Sequence, residues 1–174
     1  MCGRFTREFS WAQVRDFLDL RWPASAEIAP SWNVAPTQVS PVARVGSEGE
    51  RAGTRELAPM KWGLVPFWAK DPSIGTRMIN ARAEGIESKP AYRAAFARRR
   101  CVVPVSGFYE WKKTGETARG KPVKQPHYIF PAEGGILALA GLWESWDHGD
   151  GPLETFTIIT TRPNAMMAEL HDRM

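Results

Sequence analysis

The sequence predicts an α+β fold: a largely antiparallel, curled, barrel-like sheet flanked by short helices. Three observations carry this expectation. Short apolar stretches of strand length outnumber helix-period stretches and do not alternate regularly with them, which argues against repeated βαβ units. Fourteen prolines and 15 glycines cut the chain into many turns and short elements. Finally, 174 residues with 43% hydrophobic content suit one globular domain, residues 1–174, with a substantial core. No repeat, low-complexity tail or domain boundary interrupts it.

The elements follow from local patterning. Ser10 is a good N-cap for a helix running to about Leu20, with Trp11, Val14, Phe17 and Leu18 on one face. The Pro-rich stretch RWPASAEIAPSWNVAPTQVSPVARV reads as loop feeding a strand near Val39–Val45. SEGERAGTREL reads as a hairpin connection into a strand around PMKWGLVPFW. INARAEGIESKPAYRAAFARRR has helical character on both sides of Pro90, which breaks the helix or starts a second one. CVVPV, GFYEWKK, HYIF, GILALAGLWESW and ETFTIITT are strand candidates. RPNAMMAELHDRM closes the chain as a helix with Pro163 in its first turn.

Composition narrows the function classes. The net charge of +4 permits a polyanionic partner without demanding one. Two cysteines, Cys2 and Cys101, make no disulfide framework and have no metal-ligand spacing, so no metal and no cofactor is expected. The N-terminus has no apolar signal-peptide core and no apolar stretch approaches membrane-spanning length, pointing to a reducing, cytoplasmic setting without membrane contact. Glycine-rich phosphate loops, GxSxG and HExxH are absent.

What remains is a scattered polar set in apolar surroundings. The chain opens MCGRFT, and removal of Met1 would leave Cys2 with a free α-amine and a thiol on adjacent carbons, both nucleophilic near cellular pH. Asn80 and Arg82 lie in MINARAE at the mouth of a helix, Glu110 lies in GFYEWKK, and His171 lies in ELHDRM. Singly, each has a plainer explanation. Asn80 would cap the following helix. Glu110 would sit on a solvated strand face. His171 would face a helix dipole, and the tryptophans would fill the core.

Six stretches occurring in order, MCGRF, WNVAPTQ, MKWGLVPFWAKD, INARAE, GFYEWKK and HDRM, together resemble the SRAP (SOS response-associated peptidase) family over essentially the whole chain. The family pattern continues past HDRM with a proline and further chain, which residues 1–174 do not carry. The resemblance implies recognition of abasic sites in single-stranded DNA and cross-linking through the N-terminal cysteine. The Cys2 amine would form a Schiff base with the ring-opened sugar aldehyde, and the thiol would then close a thiazolidine. By the same resemblance, Asn80 orients the Cys2 amine or the sugar hydroxyl, and Glu110 moves protons at the amine and carbinolamine. His171 protonates the sugar ring oxygen, as an imidazole can at neutral pH. Arg4, Arg82 and Arg173 clamp phosphates, while Trp68 and Trp111 stack on bases flanking the lesion. The implied protein is a monomer, nucleoid-associated when on DNA, with room for replication-associated partners. Three other readings stay open on the residues alone. They are an N-terminal-nucleophile amidotransferase (opposed by the absence of any Asn-Gly), a cysteine peptidase acting mainly on Met1, and a non-covalent single-strand binding module.

Overall fold

The computed structural model describes residues 2–21, 29–46, 49–147, 149 and 151–174. Met1, the first part of the Pro-rich loop (22–28) and positions 47–48 of the hairpin connection lie outside the described residues. In chain order the elements are β1 (Arg4–Arg7), α1 (Trp11–Leu18), β2 (Ser31–Val34), β3 (Val39–Val45), β4 (Arg55–Trp62), β5 (Asn80–Arg82) and α2 (Arg93–Arg98). They continue with β6 (Arg100–Val105), β7 (Gly107–Ala118), β8 (Lys121–Ile129), β9 (Leu137–Trp146), β10 (Leu153–Thr160) and α3 (Ala165–Ala168).

Two sheets organise the molecule. One has the order β4-β3-β6-β9-β10-β5, and an additional β4–β10 pairing closes five of its strands into a barrel. Its pairings are antiparallel except where β10 meets β4 and β5 in parallel. The other sheet, β2-β1-β7-β8, is antiparallel throughout. Curling hides the apolar faces of both sheets. Fully buried Trp62 packs at 5.0 Å from Phe5 of the second sheet and stacks at 6.3 Å on Phe156 of the first, tying the sheets through one core. Burying each such ring contributes on the order of 1.5–3 kcal/mol.

The expected mixed α+β, barrel-like architecture is present, with local corrections. Ser10 caps α1 through a reciprocal capping box with Gln13, and Asp19 in the left-handed conformation ends the helix just before the expected Leu20. The strand expected across PMKWGLVPFW starts earlier and stops at Trp62. Gly63 takes φ +123°, and a Cβ there would lie 2.5 Å from the Gly75 carbonyl oxygen, so the chain turns away across another backbone segment. The helix expected from INARAE is not formed. Residues 80–82 instead pair in parallel with Ile158, Ile159 and Thr160, because an open edge of β10 satisfies their backbone groups. Helix appears only after Pro90, as α2. The closing helix is also shorter than expected. Asn164 caps it, it ends by Ala168, and His171 lies beyond it. Strands β1 and β2 escaped the pattern reading, which placed β2 inside a loop.

Candidate functional site

Sheet register brings the N-terminus to Glu110. Arg4 pairs with Tyr109 and Phe5 with Phe108, so continuing the antiparallel register one residue places Gly3 opposite Glu110. On β7, Phe108 and Glu110 point inward while Tyr109 and Trp111 point outward, and Glu110 is buried at 2% exposure. Glu110 is therefore not on a solvated face.

Cys2 is buried beside it. Its thiol is 3.8 Å from the Arg4 carbonyl oxygen and is pushed up to about 12, first by desolvation and then by the negative charge of Glu110. At pH 7 only on the order of one thiol in 10⁵ is a thiolate at that value. Asn80 reaches Cys2 from the barrel edge: its Nδ2 donates a 2.8 Å hydrogen bond to the Cys2 carbonyl. Its Oδ1 is buried and accepts no hydrogen bond among the described residues. A bare acceptor thus sits on the amide that grips the Cys2 backbone. Asn80 caps no helix; β5 holds it, and the Trp62 indole N–H donates 2.9 Å to the adjacent Ile79 carbonyl.

His171 enters from the chain end. It lines, together with Glu110, Trp111, Lys112, Lys113 and Lys124, a cleft of about 630 Å³. Its Nδ1 is 2.8 Å from the Asp172 carboxylate and 3.1 Å from the Arg173 backbone N–H. A protonated ring donates to Asp172, and a neutral ring with its proton on Nε2 accepts from Arg173. Nδ1 is thus partnered in either state, and the Nε2 proton is the one available to donate.

Arg173 is committed differently from its expected role. Its guanidinium makes two 2.8 Å bonds to the Glu84 carboxylate and a 2.5 Å bond to the Thr160 carbonyl oxygen, while Thr161 and Met174 exchange backbone hydrogen bonds. The pair holds the Glu84 carboxyl down at about 2 and fastens the segment carrying His171 to the end of β10. Arg82 is exposed and on the same side of β5 as Asn80. Arg4 is on the outward face beside Tyr109, donating 2.8 Å to the Asn33 side-chain oxygen. Trp68 lies on the loop after β4, 48% exposed, its indole N–H 3.5 Å from the Pro90 carbonyl, with Phe67 exposed next to it. The structure thus gathers Cys2, Asn80, Glu110, His171 and Trp111, and leaves Trp68 and Arg173 with neighbours of their own. The cleft's basic wall of Lys112, Lys113 and Lys124 was missed, because lysines on a strand ribbon carry no signal of which cleft they will line. Among the described residues no cluster of three His, Cys, Asp or Glu forms a metal site. No helix among them is long and apolar enough to cross a membrane.

The family model described as SOS response associated peptidase (SRAP) matches residues 1–174. The chain belongs to the SRAP family. It is 42% identical over 177 residues to the abasic site processing protein YoaM of Bacillus subtilis, covering 100% of this chain and 73% of that protein. It is 31% identical over 212 residues to the abasic site processing protein HMCES of Xenopus tropicalis, covering 100% of this chain and 62% of that protein. Among solved structures, a protein from Bacteroides thetaiotaomicron matches with a TM-score of 0.82 at 25% identity, over 99% of this chain and 75% of that one. This SRAP chain therefore shares its barrel with a known structure and its full length with proteins named for abasic-site processing.

Proposed function

We propose that this SRAP protein processes abasic sites in single-stranded DNA by forming a covalent thiazolidine through Cys2 once Met1 is removed. The observation that carries the reading is the grip of Asn80 on the Cys2 backbone beside buried Glu110. An internal cysteine has its nitrogen locked in an amide, whereas a terminal one offers an amine that the bare Asn80 Oδ1 can accept and aim. The amine adds to the aldehyde carbon of the open sugar, and the carbinolamine loses water to give an imine. The thiol then adds across the C=N bond, sulfur to carbon and proton to nitrogen, closing a five-membered ring. Glu110 takes and returns the protons of the first two steps. His171, oriented through Nδ1 by Asp172, gives its Nε2 proton to the sugar ring oxygen and opens the ring.

The buried, protonated thiol favours this order, with the amine first, over a peptidase reading in which a thiolate attacks a carbonyl. Arg4 and Arg82 meet phosphates, and Trp68 and Trp111 stack on flanking bases. We assign Arg173 to holding His171 in place instead of binding phosphate, because Glu84 already occupies its fork. The test is incubation with a single-stranded oligonucleotide carrying one abasic site, followed by a denaturing gel. The parent protein is expected to give a shifted, heat-stable band and Cys2→Ala none. A heat-stable band from Cys2→Ala without borohydride rules out the thiazolidine.

A further inference from the structure

The outer face of the β7–β8 ribbon carries an aromatic ladder, of which the reading above uses only Trp111. Trp111 contacts Tyr109 at 6.4 Å between ring centroids, Tyr109 contacts Tyr128 at 5.0 Å, and Tyr128 contacts Phe130 at 5.2 Å. Directly paired residues on antiparallel strands share a face. Tyr109 pairs with Tyr128, Trp111 with Pro126, and Lys113 with Lys124, so the ladder ends in a lysine pair. Tyr128 is 38% and Phe130 57% exposed. Large rings on a surface strand face, rather than in the core, ask for a partner.

We propose that this face is a stacking track for the unpaired DNA strand on one side of the lesion; the proposal rests on the reading of the site as one that acts on single-stranded DNA. Three observations favour a nucleic acid over a protein as occupant. The track is continuous with the site, since Trp111 belongs both to it and to the cleft of Glu110 and His171. Its cations fit a polyanion. Lys113 and Lys124 face each other directly, an arrangement that costs stability in the free protein and is relieved by a phosphate between them, and Arg4 lies beside Tyr109 on the same face. The Tyr128 ring at the centre of the track is also held in advance. Gly107 leaves the floor on which Tyr128 lies, where a Cβ would come within 2.5 Å of that ring, and the Tyr128 hydroxyl is 2.6 Å from that of Thr6. Pre-ordered rings lose little entropy when bases stack on them. Glu8, on the rim of the cavity beyond Phe130, ends the track with a negative charge.

The experiment is fluorescence anisotropy on the full chain, with labelled oligodeoxythymidylates carrying an abasic site near the 5′ end, near the 3′ end or in the middle. Binding is read separately from cross-linking, so a parent protein that binds without forming an adduct counts against the covalent chemistry and not against the track. Phe130→Leu, which keeps an apolar side chain, is expected to weaken binding about fivefold or more on the middle probe and on one end probe. Phe130→Trp is expected to retain or tighten binding. The double change Lys113→Ala, Lys124→Ala is expected to lower the slope of log affinity against log salt by about 1–2. Unchanged affinity of Phe130→Leu on all three probes overturns the proposal, as does an equal loss on all three or an unchanged salt slope in the lysine variant.

Discussion

Asn80→Ala tests the proposed positioning of Cys2 by Asn80. The substitution removes the 2.8 Å bond to the Cys2 carbonyl and leaves that acceptor unsatisfied in a largely buried setting. Losing one partner of a buried hydrogen bond costs ~1–3 kcal/mol. Against a total stability of ~5–15 kcal/mol the variant stays folded, and for a chain of this length its Tm falls by ~2–12 °C. If the same energy acts on the placement of the attacking amine, cross-linking slows by ~5–150-fold. Thermal unfolding by circular dichroism gives the first number, and stopped cross-linking reactions on a denaturing gel give the second. If undamaged single strands bind without using the Cys2 backbone, as proposed, their affinity is expected to change less than twofold. Asn80→Ala with both the parental Tm and the parental cross-linking rate refutes the reasoning.

Two further outcomes separate the remaining roles. His171→Ala and Glu110→Ala are each expected to slow cross-linking by ~10²–10⁴. An acyclic aldehyde analogue, already open, largely rescues His171→Ala and does not rescue Glu110→Ala, as measured by adduct formation over time. Equal rescue of both, or of neither, shows that the proton work is divided differently. The Glu84–Arg173 pair has its own pH signature. Because the folded-state carboxyl titrates at about 2, below its ordinary 4.5, its stabilising contribution is present above pH 4.5 and is lost as pH falls through about 2. Carboxyl NMR of Glu84 is expected to show that low midpoint in the parent and an ordinary one in Arg173→Ala. A midpoint near 4.5 in the parent contradicts the clamp.

Strands β3, β4, β6, β7, β9 and β10, and the HYIF end of β8, were readable because each is a short apolar or alternating stretch bounded by glycine, proline or polar residues. The capping box of α1 was readable because it is local: Ser10 and Gln13 are three residues apart. Asn80 was misread as a helix residue for a physical reason. The segment INARAE has acceptable helix propensity, and what overrides it is the open edge of β10, some 80 residues later in the chain. The burial of Glu110 was equally illegible. Alternation puts it opposite Tyr109 and Trp111, but only the pairing of β1 with β7 decides which face is inside. Arg173 was read as a phosphate clamp, and its bond to Glu84 was not foreseen because the two are distant in sequence. The order of six motifs conveyed the family. It could not convey which motif residues meet one another and which, such as Trp68, stand apart.

The most direct test of the account is the intact mass of the adduct formed with a single-site abasic oligonucleotide, measured after proteolysis and without borohydride. The account predicts one species: the N-terminal peptide beginning at Cys2, joined to the oligonucleotide with loss of one water and with no free thiol on Cys2. An adduct that retains Met1, leaves the Cys2 thiol free to alkylate, or is joined through another residue contradicts it.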